Sequence, residues 1–468
     1  MLKDYSSVFD GCAVYLPALS PNYAEFAATG SFKRLETLQP GDLNFLSPDS
    51  RLFYYPYALY SAGQAAKTRS AARKDNIVLR RDRNATRVIG DSGGFQVATD
   101  TIEWEGPDTA ARLLKWMEGH ADYCMALDFP TGGISGGIIA KHSKRLMSEG
   151  VNLPSIAQRN GLGIDYNACL VQTLRNNRLF RRIADPGTKL LNVLQGRNLD
   201  EAEEWLRHAR KSKFRGWAFA GYLTNDIALL LRMLIRMRDG GDLKGKEWLH
   251  FLGVGNLELG CVYTALQRTF ENQIGSSIQI SYDASSPFRM YGNQMLYSGF
   301  TLHPSAWSLQ TIKFSELADA QNKTGTMMDA LLSAKFKKDT SGAEEAIAEC
   351  TPDLTSHVVR RSNEMPRYLG THYFPAESTV AHLLLLDGQR YSFFNNGDRD
   401  TDTDMLAANH NIHVLIDAHR RAQRAFDELR TEQVPARLIA TAEVIKQVFK
   451  SETPDTLIEQ CEHFLNFG

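Results

Sequence analysis

Cysteine is scarce in this chain: six among 468 residues, at Cys12, Cys124, Cys169, Cys261, Cys350 and Cys461. No two stand as a Cys-x-x-Cys pair, which argues against a disulfide framework and against a structural zinc site. Buried, reduced thiols are the expectation. Long apolar stretches are missing as well. No run of about 18 apolar residues offers a membrane-crossing helix, and Met1-Leu-Lys-Asp-Tyr-Ser-Ser has no apolar signal core. A cytoplasmic protein without membrane partners is expected. The chain has no P-loop, internal repeat or low-complexity tract. The glycines of Gly253-Val-Gly-Asn-Leu-Glu-Leu-Gly260 are too widely spaced for the dinucleotide fingerprint, so an open doubly wound sheet lacks its usual signature. Net charge is nearly absent too, at −1 from 53 basic and 54 acidic residues.

What is present is local patterning. Lys67, Arg69, Arg73, Lys74, Arg80, Arg81, Arg83 and Arg87 are opposed within their stretch only by Asp75 and Asp82. Further clusters are Arg175–Arg182, Arg207–Arg215 and Lys335–Lys338. Such runs are commonly solvated faces, but the first leads straight into an acidic, glycine-rich loop, an entrance that would draw a polyanion. Apolar runs recur at Ala13–Leu16, Leu43–Leu46, Arg87–Gly90, Tyr123–Leu127, Leu190–Leu194, Gly216–Ala220, Leu249–Val254 and Ile278–Tyr282. Near-continuous runs of this length fit strands buried on both faces of a parallel sheet. Helix-period segments lie between several of them, at 108–121, 199–213, 225–238 and 258–273. The second opens acidic and closes basic, as the helix dipole prefers. Eight strands with intervening helices predict an α/β fold, a (β/α)8 TIM barrel with insertions and an appended C-terminal helical region. The expected division is a barrel core over 1–300, a mixed helix-loop insertion over 301–375, and helices over 376–468, including 405–430, 435–450 and 454–467. A glycine-rich stretch at 131–137, followed by the basic Lys141–Arg145, reads as an inserted loop.

Three acids stand at the ends of apolar runs: Asp91, Asp128 and Asp283. In a barrel they would converge on the C-terminal rim. One such acid is commonly an Asp-capped turn, but three in one mouth repel each other and imply a use. Paired carboxylates suit chemistry at an acetal-like carbon: one stabilises or attacks the developing oxocarbenium centre while another handles the leaving group's proton. That logic covers glycoside hydrolases and enzymes that exchange a base at an N-glycosidic bond. The stretch Arg87-Val-Ile-Gly-Asp-Ser-Gly-Gly-Phe-Gln96 adds close backbone approach beside an acid and an amide, suited to a planar hydrogen-bonding ring.

These residues resemble the guanine transglycosylases. The family's Asp-Ser-Gly-Gly-(Phe/Tyr)-Gln stands whole at 91–96, and its Met-x-x-Asp strand is similar to Met125-Ala-Leu-Asp128. Its Val-Gln-Gly turn resembles Leu194-Gln195-Gly196, its pocket segment Gly216-Trp-Ala-Phe-Ala-Gly221, and its Gly-Val-Gly turn stands at Gly253–Gly255. The nucleophile motif resembles Asp283-Ala-Ser-Ser-Pro-Phe-Arg289, and His410-Asn411 falls in a C-terminal helix as the family's pair does. The resemblance implies that Asp283 attacks C1′ and carries a covalent glycosyl intermediate, with Asp91 as general acid and base. It implies that Asp128 reads the guanine edge, with Ser92, Gly94, Gln195 and the Gly221 backbone completing the pocket. A carboxylate facing two parallel N–H donors suits that edge. Phe95, Tyr282 and Phe288 are candidates to stack on the ring, or else ordinary packing. Phosphate contacts are expected from Arg80, Arg81, Arg83, Arg87 and Arg289, and from the 207–215 helix.

The departures narrow the likeness. The family's Cys-x-Cys-x-x-Cys zinc ligands have no counterpart in residues 375–409, leaving His410 as a structural histidine and no cofactor expected. Phe288 stands where the family has Thr, and Ala220 where it has a pocket glycine. These features resemble the DNA-guanine transglycosylases, which exchange guanine in DNA for 7-cyano-7-deazaguanine (preQ0). The implied partners are DNA, a small 7-deazaguanine base and proteins of a DNA-modification system. The alternatives are a tRNA-guanine transglycosylase without zinc and a non-catalytic nucleic-acid-binding subunit.

Overall fold

A computed structural model describes residues 3–4, 10–33, 38–131, 160–275, 277–313 and 400–467. Contacts divide the chain into two compact units, each assembled from several segments.

The larger unit comprises Phe9–Pro21, Tyr57–Ala284 and Ala436–Gly468. Its centre is a closed, all-parallel barrel of eight strands: β1 (Val14–Leu19), β2 (Tyr57–Ser61), β3 (Arg87–Asp91), β4 (Tyr123–Met125), β5 (Lys189–Leu194), β6 (Gly216–Phe219), β7 (Trp248–Phe251) and β8 (Gln279–Ala284). Strand β8 closes on β1 with Asp283 opposite Leu16, and β2 lies beside β3 with Ser61 opposite Asp91. Around it run α1 (Pro107–His120), α2 (Tyr166–Ile183), α3 (Leu199–Ala209), α4 (Ile227–Asp239) and α5 (Leu257–Thr269). Side-chain oxygens of Asp165, Asn198, Asp226 and Asn256 cap α2 to α5, each accepting a backbone N–H of the first turn. The C-terminal segment adds α6 (Ala436–Val448), which packs on α5, where Arg437 pairs with the buried Glu258 at 2.6 Å.

This is the expected TIM barrel, with one strand misassigned from sequence. Leu43–Leu46 is no strand: it follows a short 3-10 turn, Pro40–Leu43, and belongs to the other unit. The missing strand is β2. The expected helix over 199–213 ends at Ala209, continues as a 3-10 turn, and stops where Lys213 turns left-handed at φ 53°. The third C-terminal segment splits into Pro454–Gln460 and Glu462–Leu465.

The smaller unit comprises Met1–Val8, Asn22–Pro56 and Ser285–Pro435. It contains an antiparallel hairpin, Met295–His303 with Ala306–Lys313, and the 27-residue helix Thr401–Asp427, capped by Asp400. His410 is sealed within this unit, 2.7 Å from the carbonyl of Tyr297, and burial holds its pKa down to about 4. It is therefore a neutral donor. Asn411 bonds the Tyr297 N–H at 2.8 Å, which ties helix to hairpin.

Cys12, Cys124, Cys169 and Cys261 are buried and outside any disulfide, as expected, but Cys461 is half-exposed. No helix among the described residues is long and apolar enough to cross a membrane. The glycine-rich stretch from 132, the Lys141–Arg145 patch, the Lys335–Lys338 cluster, Cys350 and most of the expected 301–375 insertion lie outside the described residues.

Candidate active site

In a parallel barrel every strand ends on the same rim. Asp91 is the last residue of β3, Asp128 follows β4 by three residues, and Asp283 is the next-to-last residue of β8. The barrel thus brings the three acids to one end.

Each is held differently. Asp91 accepts the Ser61 hydroxyl on Oδ2 at 2.6 Å and the Gly93 N–H on Oδ1 at 3.2 Å. Desolvation raises its pKa against those two bonds, and the charge of Asp283 adds to the rise. Asp128 is buried and accepts Gln195 Nε2–H on Oδ2 at 2.6 Å. Burial, helped by the charge of Asp91, pushes its carboxyl up to about 7. Asp283 accepts the Gly253 N–H at 2.9 Å, and His250 Nε2 stands 3.2 Å away, both on Oδ1. Its Oδ2 has no described partner, so one oxygen is tethered and the other is open.

The loop that presents Asp91 depends on its glycines. Gly93 caps the short helix Gly94–Ala98 with φ +85°. A Cβ on Gly94 would stand 1.8 Å from the carbonyl oxygen of Asp128. That is direct contact between the Asp91 and Asp128 loops, possible because Gly94 has no side chain. Gly221, at φ +64°, lies against Gln195, whose Oε1 would be 3.6 Å from an added Cβ. Ser92 is sealed, its hydroxyl 3.4 Å from the carbonyl of Ala126. Asp128, Gln195, Gly94, Gly221 and Ser92 are therefore clustered beside Asp91. Gln96 is different: its Oε1 is buried against Gly63 with no hydrogen-bond partner among the described residues.

Of the expected stacking residues, Phe95 is 42% exposed on the Gly94–Ala98 helix. Tyr282 is sealed against Tyr15 and Tyr263, with centroids at 5.9 and 5.6 Å, and is core. Phe288 packs edge-on against Tyr23 in the smaller unit.

The basic run divides. Arg87 opens β3, so the strand carries it roughly 13 Å from Asp91, to the opposite rim. Adjacency in sequence becomes separation in space, which corrects the expectation of one continuous entrance. Arg80 pairs with Asp75, Arg83 donates to the Gly119 carbonyl at 2.9 Å, and Arg87 donates to the Thr86 carbonyl at 2.7 Å. Arg81 is no phosphate ligand as it stands: its fully buried side chain pairs with Asp122 at 2.9 Å and donates to Thr86 Oγ1 and the His120 carbonyl. In the 207–215 helix region, Arg210 pairs with Asp242 and Arg215 with Glu247. Arg289 is exposed on the helix Ser286–Gly292 of the smaller unit.

The earlier half of the run fares otherwise. Arg69 and Arg73 follow the C-terminal end of β2 and make no ion pair among the described residues. With Ala72, Glu105, Asp108 and Arg112 they line a cleft of about 330 Å³. Arg112 donates to the Ala66 carbonyl just past the end of β2, which sets the cleft toward the rim of the three acids, while Asn76, three residues beyond Arg73, already meets His120 at the far end of α1.

Sequence reasoning missed Ser61, His250 and Ser281. The positional signal for Ser61 was its place at the end of a strand that went unrecognised. His250 and Ser281 sit inside apolar runs, where a buried polar residue demands a partner. Among the described residues no group of His, Cys, Asp and Glu side chains is arranged to hold a metal ion. Neither protein-family models nor curated proteins gave a match to this chain.

Proposed function

We propose that this protein is a base-exchange glycosyltransferase that replaces guanine in DNA with a 7-deazaguanine base such as preQ0. The observation that carries the reading is the differentiation of three carboxyl groups on one barrel rim. Asp283 has a tethered Oδ1 and an open Oδ2, the arrangement of an aimed nucleophile. Oδ2 attacks C1′ of a deoxyguanosine, the C1′–N9 bond breaks, and its electron pair leaves with guanine. Asp91, whose pKa is raised, gives a proton to the departing base and recovers one from the incoming base. That base then attacks C1′, and the ester to Asp283 breaks with its electron pair returning to the carboxylate.

Asp128 with Gln195 supplies an acceptor and an amide in a desolvated pocket, complementary to the N1–H, exocyclic amine and carbonyl of a guanine-type edge. A duplex buries that edge, so the target nucleotide must be extruded or single-stranded. Arg69, Arg73 and Arg112 are the cations on the rim of the three acids that fit flanking phosphates, better than Arg80–Arg87 on the far rim.

The test is incorporation of radiolabelled preQ0. Label entering plasmid DNA, lost with Asp283→Ala while DNA binding persists, is expected. Label entering tRNA but not DNA would give the zinc-free tRNA reading. Entry into neither, with DNA still bound, would give the non-catalytic subunit.

A further inference from the structure

Behind Asp283 runs a chain of hydrogen bonds that none of the sequence motifs contains. Trp248 Nε1–H donates to Ser281 Oγ at 2.7 Å, Ser281 Oγ lies 2.8 Å from His250 Nδ1, and His250 Nε2 lies 3.2 Å from Asp283 Oδ1. His250 and Ser281 are fully sealed, and Trp248 nearly so. The direction of the chain follows from its two ends. An indole N–H can only donate and a carboxylate oxygen can only accept, so Ser281 Oγ accepts from Trp248 and His250 Nε2 donates to Asp283, which leaves Nδ1 of the neutral imidazole to accept the Ser281 proton. The imidazole is then the Nε2–H tautomer, with that N–H aimed at Asp283.

Ser, His and Asp in a row also describe a hydrolytic triad. The hydrogen bonds here point as they do in a triad, but the serine is sealed and the open atom is the Asp283 oxygen. The chain runs toward the carboxylate.

We infer that His250 is a positioning residue for Asp283, its tautomer fixed by Ser281 and Trp248, and that it acts with the Gly253 N–H to hold Oδ1, present Oδ2 to C1′ and stabilise the carboxylate when the ester breaks. The inference rests on the base-exchange reading for its chemistry, though its geometry stands apart from it. A donor on Oδ1 favours the ionised carboxylate in both directions of exchange: it keeps Oδ2 anionic for attack and makes the carboxylate a better leaving group afterwards. The titratable group whose charge couples to both members of the pair is Asp91; Tyr15 on β1 is registered with Tyr282, on the other face of the sheet.

The experiment titrates Asp283 itself, without substrate, by ¹³C NMR of protein labelled at aspartate carboxyls, the resonance being assigned with Asp283→Asn. His250→Phe removes the donor and is expected to raise the midpoint by about one unit, a tenfold gain in proton affinity. His250→Gln, which retains an N–H, should return the midpoint most of the way. Ser281→Ala keeps the imidazole but frees its tautomer, and should shift the midpoint in the same direction by less. It also decides the matter if His250→Phe does not fold. The acid limb of the kcat profile for exchange should move with the midpoint. A midpoint unchanged in the folded variants overturns the inference, even if the wild type exchanges bases. A midpoint shifted in the variants, with a wild type that exchanges no base, overturns the base-exchange reading and upholds the positioning of Asp283.

Discussion

Single residues of this protein carry opposite burdens. Asp128 is a carboxyl whose folded pKa stands near 7 against an ordinary value of 3.8. The fold holds its proton more tightly than the unfolded chain does, so the contribution of Asp128 to stability is greatest below about pH 4 and is lost as pH rises toward 7. Asp128→Asn removes that penalty. The variant should melt higher than the wild type at pH 8 and equally at pH 4, the gain bounded by roughly 4 kcal/mol. Calorimetry at the two pH values checks this without any assay of function. The same ionisation governs base capture: KM for a guanine-type base should fall as pH rises through about 7, and Asp128→Asn should bind poorly with a flat profile. Arg81 shows the reverse economy. Removing it takes the cation from the Asp122 carboxylate, which keeps only the Val88 N–H, and removes a buried donor from Thr86 Oγ1 and the His120 carbonyl. Arg81→Ala should cost about 3–5 kcal/mol in urea unfolding. Arg80→Ala, which breaks a pair whose partners are 49% and 44% exposed, should cost less than about 1 kcal/mol.

At the scale of elements, the Asp91 and Asp128 loops are pressed together at Gly94. A methyl group 1.8 Å from the Asp128 carbonyl oxygen cannot be absorbed by a side-chain rotation, because the obstacle is backbone. Gly94→Ala should therefore separate the two loops and abolish exchange. Gly253→Ala meets no atom within 4 Å and strains only its φ of +74°, so it should retain partial activity. Single-turnover rates of the two variants separate the cases.

The acid loops were legible because a barrel puts strand ends on one rim and because an acid after an apolar run is conspicuous. Strand β2 was not legible. Neither Tyr57-Ala-Leu-Tyr-Ser61 nor Leu43-Asn-Phe-Leu46 carries a β-branched residue, so propensity does not separate them. The latter lies between Pro40-Gly41 and Ser47-Pro48, and Asn44 turns its own side chain onto the Leu46 N–H, a local bond that competes with a ladder. Its Phe45 stacks on Phe53 within the smaller unit. With β2 went Ser61 and the correct side of the barrel for the arginines. His250 and Ser281 stayed hidden because their partnership joins strands 31 residues apart in sequence.

For the whole molecule, a net charge of −1 means that no global field gathers a polyanion. Binding to nucleic acid must then come from cations placed locally, and the barrel decides which. Strand β3 separates the basic run into Arg69 and Arg73 on the rim of the acids and Arg80, Arg83 and Arg87 on the other. Each phosphate contact on a single strand contributes about 0.7 to the slope of log affinity against log salt, through release of condensed counterions. Replacing both Arg69 and Arg73 by Ala should flatten that slope by about 1.4 for a single-stranded oligonucleotide and weaken binding alike across sequences. Replacing Arg80 and Arg87 should leave the slope unchanged. Fluorescence anisotropy across a salt series measures both. A slope that responds to the second pair and not the first would mean that nucleic acid meets the barrel at the rim opposite Asp91, where no proposed reacting group could reach its base.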